Sequence, residues 1–140
     1  MGGAQLAKII LDACAVIAFF RGEIGDDLVA NYLFDDGFQC LIHSVNLCEI
    51  YYDFLRSSGE AEAENMLTDL ESVGVQFNSD ISVDFWKQVS RYKANIRRIS
   101  LADCFALTLA NREGGILVTS DRKEFEPVVP LNICQINFIR

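Results

Sequence analysis

Short continuous apolar runs alternate along the chain with longer stretches whose apolar residues recur at helical spacing. Lys8-Ile9-Ile10-Leu11 opens the series as a buried strand, ends at Asp12, and gives way to an apolar helical segment over residues 13–20 that stops at Arg21-Gly22. A helix over residues 26–34 follows, with Asp26 and Asp27 suited to its first turn. Asp35-Asp36-Gly37 is a turn, and residues 38–42 form a second short strand. Ser44 then caps a helix with the apolar stripe Leu47, Ile50, Tyr51, Phe54 and Leu55, ended by Ser57-Ser58-Gly59. Residues 61–73 read as a helix with an acidic outer side, 74–77 as a third strand, and 80–95 as another helix. Residues 99–110 form a helix with almost no polar face, the mark of one surrounded by other elements. Gly114-Gly115 breaks the chain before a fourth strand over 116–119, and Pro127 and Pro130 mark a loop before a last strand over 133–138. Residues 1–4 read as a flexible start. Strands alternating with helices predict an α/β fold with a mainly parallel sheet and right-handed crossovers.

This layout puts carboxylates in unusual places. Asp103 is the only charged residue of the helix over 99–110, and an ionised carboxylate is almost never fully buried unless something pairs with it. Asp12 stands at the carboxyl end of the first strand, where open α/β sheets bind ligands, and Ser120-Asp121 repeats that arrangement at the end of the fourth. Each has a local alternative: Asp12 as a helix N-cap, Ser100-x-x-Asp103 as a capping-box start, Asp121 as the cap of a short turn over 122–125. Glu49 lies nearly opposite the apolar stripe of its helix and by spacing alone reads as a solvated residue. A single such acid is a cap, whereas three arriving at one sheet edge are a site, with Glu49 the candidate fourth.

Two like charges about 4 Å apart repel by roughly 4 kcal/mol at an effective dielectric of 20. A cluster of this kind must hold protons or a cation. Carboxylate oxygens without sulfur or imidazole favour hard ions, so Mg2+ or Mn2+ is the natural occupant. A metal-bound water can attack phosphorus and a second ion can stabilise the leaving oxygen, so the implied reaction is phosphodiester hydrolysis. Calcium fits less well, because no Asp-x-Asp-x-Asp-Gly loop is present.

Composition narrows the field further. The 140 residues, 51% of them hydrophobic, suit one globular domain over residues 1–140 that buries roughly two-thirds of its unfolded surface. Five cysteines, at 14, 40, 48, 104 and 134, include no Cys-x-x-Cys pair, and four lie in strongly apolar segments. That is the pattern of reduced, buried thiols in a cytoplasmic protein rather than of a disulfide framework or zinc site. His43 is the only histidine, which disfavours imidazole-bound zinc and a Ser/His or Cys/His nucleophile pair; it reads as structural. No apolar run is long enough to span a membrane, and the faint likeness of residues 8–20 to a signal peptide is broken by Asp12. The net charge of −8 taken alone argues against nucleic acid. Its distribution does not: residues 1–86 carry 15 acids and 3 bases, residues 87–140 carry 5 acids and 9 bases. Lys87 and Arg91 share a helical face that Arg98 extends, either as a solvated surface or as a contact for RNA phosphates.

Four short motifs, in order, resemble one known family: Ile10-Leu11-Asp12-Ala13-Cys14-Ala15, Ser44-Val45-Asn46-Leu47-Cys48-Glu49, Ser100-Leu101-Ala102-Asp103 and Leu117-Val118-Thr119-Ser120-Asp121-Arg122. The chain is similar over nearly its whole length to PIN-domain proteins, specifically to VapC-type toxins of bacterial toxin–antitoxin pairs. The resemblance implies a three-layer α/β/α sandwich with strand order 3-2-1-4-5 and an Mg2+/Mn2+-dependent endoribonuclease. It also implies a homodimer and a cognate antitoxin whose C-terminal segment covers the acidic pocket. It makes Glu49 a metal-site acid beside Asp12, Asp103 and Asp121, and gives Thr119 and Ser120 the role of orienting the last acid or a bound water. Cys14 departs from the pattern, standing where members often carry Ser, Thr or Asn; a thiol is a weaker hydrogen-bond donor in support of Asp12. Two other readings use the same residues: an RNA-processing nuclease without antitoxin, and a binding module that cleaves nothing, which the intact set of acids disfavours. An apolar groove including Leu28, Tyr32, Tyr51 and Phe54 is the expected partner surface.

Overall fold

The computed structural model describes residues 6–140, so the flexible start expected over residues 1–4 lies outside the described residues. The elements run β1 (Ala7–Leu11), α1 (Ala13–Arg21), α2 (Asp26–Phe34), β2 (Phe38–His43), α3 (Ser44–Ser58), α4 (Glu60–Ser72), β3 (Gln76–Asn78), α5 (Val83–Asn95), α6 (Leu101–Glu113), β4 (Ile116–Thr119), α7 (Arg122–Phe125), a 3-10 segment (Glu126–Leu131) and β5 (Gln135–Phe138). The five strands form one sheet in the order β3-β2-β1-β4-β5, and every neighbouring pair is parallel. The expected strand order and three layers are therefore present, with a sheet that is wholly rather than mainly parallel.

The continuous apolar runs follow from burial on both faces. Ile9, Leu11, Cys40, Ile42 and Val118 face a core made with α1 to α4. Their neighbours Ile10, Leu41 and Leu117 face a second core with α5, α6, Phe125 and Val128. α6 lies on the middle of the sheet and packs against β1, β2, β4, α3 and α5, which is why its sequence lacks a polar face. Gly115 admits β4 beside β1: a Cβ there would stand 2.6 Å from Ile10 Cδ1 and 2.9 Å from the Lys8 carbonyl.

Several boundaries differ from expectation. α3 is capped by the His43 side chain rather than by Ser44, which is its first residue, and α4 begins at Glu60 rather than 61. β3 begins at Gln76 rather than 74, and α6 spans Leu101–Glu113 rather than 99–110. Three further differences have plain local reasons. α5 starts at Val83 rather than residue 80, because the Asn78 side chain accepts from the Asp80 N–H and the Asp80 side chain from the Ser82 N–H, a pair of local turns that competes with helix. The loop expected at Pro127 and Pro130 is the 3-10 segment; Pro127 sits in its first turn, where a missing N–H costs nothing. β5 begins at Gln135 rather than 133, after Asn132 takes a left-handed φ of 56°.

His43 has the structural role expected of it. It is fully buried and stacks on Phe85; Nδ1 accepts from the Val45 N–H at the start of α3, and Nε2 pairs with the Asp80 carbonyl at 2.9 Å. That pattern fixes the Nε2–H tautomer, and burial pushes its pKa down. All five thiols are free. Cys40 and Cys104 are buried and Cys14 and Cys134 partly so, but Cys48 is exposed on the outer side of α3, contrary to the buried pattern. Among the described residues, no helix is long and apolar enough to cross a membrane.

Candidate functional site

At the carboxyl end of the sheet, local capping and site formation use the same residues. Asp12 follows β1 and caps α1: Oδ1 accepts from the Ala13 N–H at 2.9 Å. Its other oxygen, Oδ2, accepts from the Thr119 hydroxyl at 2.8 Å and from Cys14 Sγ at 3.1 Å. Thr119, fully buried at the end of β4, also accepts from the Asp121 N–H at 3.0 Å, so one hydroxyl ties two strand ends together. Ser120 takes part through its backbone N–H, which donates to Cys14 Sγ at 3.4 Å. Burial and the neighbouring Asp12 push the Cys14 thiol up to about 12, so sulfur stays protonated and serves as a donor. The thiol thus fills the supporting position expected to be weak, and the stronger Thr119 bond stands beside it.

Asp121 caps α7 by accepting from the Glu124 N–H at 3.0 Å. In α6 the cap is Ser100, whose hydroxyl accepts from the Asp103 N–H at 3.0 Å, and this leaves the Asp103 carboxylate free to turn toward the other acids. Asp12, Glu49, Asp103, Asp121 and Glu124, with Ala13, Cys14 and Ser100, line a single cavity of about 200 Å3. Glu49 reaches it from the exposed side of α3. All four sequence-derived acids therefore line the same cavity, from β1, α3, α6 and the β4 end, but the group of closely spaced carboxylate oxygens includes only Asp103 and Asp121 of the four.

Glu124 is the residue that sequence reasoning missed. Asp103, Asp121 and Glu124 each present an oxygen within 4.8 Å of the others, the tightest acidic group of the cavity. The spacing Asp121-x-x-Glu124 carried a capping-box signal that would have set a second carboxylate beside Asp121. Nothing in the sequence indicated that α7 would swing it against α6, where its Oε2 accepts from the Ser100 N–H at 3.0 Å.

The electrostatics are those of a cluster short of positive charge. Burial, a hydrogen bond shared with Glu124 and the charge of Asp12 push Asp103 up to about 9, so the Asp103–Glu124 pair shares a proton near neutral pH. Glu124, accepting that hydrogen bond, is held low. Burial also raises Asp12 against its three hydrogen bonds, and burial with the Asp12 charge raises Glu49. Among the described residues, no lysine or arginine makes an ion pair with any of the five acids. The donor set fits a hard divalent ion: it is all oxygen, one sulfur is present only as a protonated thiol, and the sole histidine is held elsewhere.

The other expected residues fall outside this cavity. Lys87 and Arg91 are exposed one turn apart on α5, and Arg98 is exposed in the turn before α6. The bases whose charge reaches Glu124 are instead Lys123 and Lys93. The expected groove of Leu28, Tyr32, Tyr51 and Phe54 is not one surface. Leu28 and Tyr32 line a cavity with β5, Tyr51 lines another between α3 and α4, and Phe54 is buried against Phe20.

A wholly parallel five-stranded α/β/α sandwich with an acid cavity at the carboxyl ends of its strands defines the class of protein. Residues 9–128 match the family model of the PIN domain, and the chain belongs to that family. No curated protein matches the chain in sequence. Its fold is shared with VapBC2 from Rickettsia felis bound to a promoter DNA fragment (TM-score 0.72, 16% identity, covering 94% of this chain and 98% of that one). It is shared also with a toxin–antitoxin complex from Klebsiella pneumoniae (TM-score 0.71, 15% identity, 94% and 98% covered). A third likeness is to VapC20 of Mycobacterium tuberculosis, a sarcin-ricin loop cleaving toxin (TM-score 0.68, 14% identity, 85% and 94% covered).

Proposed function

We propose that this protein is an Mg2+- or Mn2+-dependent endoribonuclease of the VapC type, the toxin of a toxin–antitoxin pair, acting in the cytoplasm as a homodimer. The observation that carries the reading is the convergence of Asp12, Glu49, Asp103, Asp121 and Glu124 on one cavity with no basic ion-pair partner among the described residues. Membership of the PIN domain family and the likeness in fold to toxin–antitoxin proteins support it. In this reading Asp12, Glu49, Asp103 and Asp121 are the catalytic and metal-holding acids, joined by Glu124.

A bound Mg2+ or Mn2+ supplies a water of lowered pKa and offsets charge developing at phosphorus. The protein's own groups set the stage for that chemistry. Thr119 and Cys14 hold Asp12 through one oxygen while Ala13 takes the other. The Ser100 N–H fixes Glu124 and the Ser100 hydroxyl fixes the start of α6, so Asp103 and Glu124 face each other across two elements. Asp103, with Asp121 and Glu124, would hold the cation, which would relieve the repulsion that in its absence favours the protonated form of Asp103. Basic residues beyond the pocket, Lys87, Arg91 and Arg98, would contact RNA phosphates.

The decisive experiment incubates a single-stranded RNA with the protein in Mn2+ or in EDTA, alongside Asp103→Asn. Cleavage in Mn2+ alone, abolished in the variant with its circular dichroism unchanged, is the expected result. Equal cleavage by wild type and variant would remove Asp103 from the mechanism. A small open reading frame directly upstream of the gene, whose product copurifies with this chain and blocks cleavage, is the expected sign of the antitoxin.

A further inference from the structure

Asn46 is a fully buried polar side chain that the reading above does not use. It lies in the first turn of α3, one turn before Glu49. Its Nδ2 donates across to the Ala102 carbonyl at 3.1 Å and lies 3.5 Å from Glu49 Oε1. Its own oxygen, Oδ1, is buried without a donor among the described residues. An acceptor left unsatisfied in the interior costs about 1–3 kcal/mol, and an apolar side chain of the same shape would avoid that cost. The amide is therefore expensive at this position. Its contacts tell what it is for, because Ala102 immediately precedes Asp103.

We infer that Asn46 is a positioning residue for the metal site, a clamp that joins the first turn of α3 to the first turn of α6 and holds Glu49 toward Asp103. This inference rests on the metal-site reading. α3 brings the only acid of the cavity that has no capping or strand-end anchor of its own: Asp12 and Asp121 are caps, Asp103 follows the Ser100 cap, and Glu124 is held by the Ser100 N–H. Among the described residues Glu49 has only the Asn46 amide, whose hydrogen bond favours its charged form while burial and Asp12 oppose it. The contact is long, at 3.5 Å; a cation held in the cavity would offset the repulsion between Glu49 and its acidic neighbours, and the amide would then limit where the carboxylate settles.

The test is a double-substitution cycle read by calorimetric Mn2+ binding on the full chain, with Asn46→Ala, Glu49→Gln and the two combined. Groups that orient a metal ligand typically change affinity by about 10- to 100-fold, so Asn46→Ala is expected to weaken Mn2+ binding about 10-fold. In the Glu49→Gln background the same substitution is expected to do almost nothing further, because Asn46 acts through Glu49. Asn46→Leu guards against simple loss of folding: it keeps the branching of the side chain and removes the orphaned oxygen, so a cooperative thermal transition is expected to be retained, with the extra bulk costing about 1–3 kcal/mol at most, while Mn2+ affinity still falls. Full Mn2+ affinity in folded Asn46→Leu, or penalties that multiply in the combined variant, would overturn the clamp and leave the nuclease reading standing. A wild-type protein that binds no Mn2+ would overturn the metal site and the clamp with it.

Discussion

Asp103 sets the pH response of the metal-free protein. Its carboxyl is raised from 3.8 to about 9 in the folded state, so folding favours the protonated form. The stability this confers is complete below the unfolded pKa and is lost as pH rises through the folded one. Asp12 and Glu49, also raised, act in the same direction. Thermal unfolding in EDTA should therefore show a midpoint that falls between about pH 5 and about pH 9, and a flatter profile in saturating Mg2+. Asp103→Asn removes one of these raised carboxyls: the slope should shrink, and at pH 8 the metal-free variant should be more stable than wild type by about 0.5–2 kcal/mol. A variant less stable than wild type in EDTA would mean that Asp103 is a structural partner rather than a confined charge. His43 works in the opposite sense, since its lowered pKa withdraws stability as pH falls below its ordinary 6.5. His43→Ala should cost about 2–4 kcal/mol in urea unfolding, because it empties a packed site and takes away the cap of α3 at once.

Elements were legible where burial imposed a period, and illegible where a side chain outbid it. β1, β2 and β4 could be read from their apolar runs because both faces of the sheet are covered, and α6 from its lack of a polar face. The start of α5 was not, since Asn78 and Asp80 hold the chain in turns that periodicity does not register. α7 is four residues long, too short for any period, and so the acid it delivers, Glu124, escaped notice while Asp121 beside it was read from its strand end. Asp12, Asp103 and Asp121 each had a cap as the competing explanation, and the structure shows why the contest was false: one oxygen of Asp12 caps while the other faces Thr119 and Cys14. Packing at the element scale also makes a sharp demand at Gly115, where β4 meets β1. Gly115→Ala should cost about 1–3 kcal/mol in urea unfolding, the penalty for overpacking a site whose nearest atoms include the Lys8 carbonyl, and a neutral result would show that β4 can slide without loss.

At the scale of the whole molecule the basic side chains fall into two groups. Among the described residues, Lys8, Arg21, Arg56, Arg122 and Arg140 are in ion pairs, and Arg112 donates to the Asp84 carbonyl over the Phe85 ring. Lys87, Arg91, Lys93, Arg97, Arg98 and Lys123 make no ion pair, and all come from α5, the turn after it, or α7. Arg97 and Arg98 precede the cavity-lining Ser100, and Lys123 precedes the cavity-lining Glu124, so free positive charge borders the acidic cavity in the chain. The net charge of −8 conceals this arrangement because the acids and bases are sorted along the sequence. Under the nuclease reading proposed above, this separation would let RNA phosphates approach acids that would otherwise repel them. Each phosphate contact on a single strand contributes about 0.7 to the slope of log affinity against log salt. Measured by anisotropy with a labelled RNA on the Asp103→Asn protein, Lys87, Arg91 and Arg98 replaced together by Gln should lower that slope by about 2. Lys93 and Lys123, whose charge reaches the cavity-lining Glu124, should lower it by about 1.4 when replaced together and weaken binding. An unchanged slope in the first variant with a reduced one in the second would confine the RNA to the rim of the cavity and leave the exposed face of α5 to solvent.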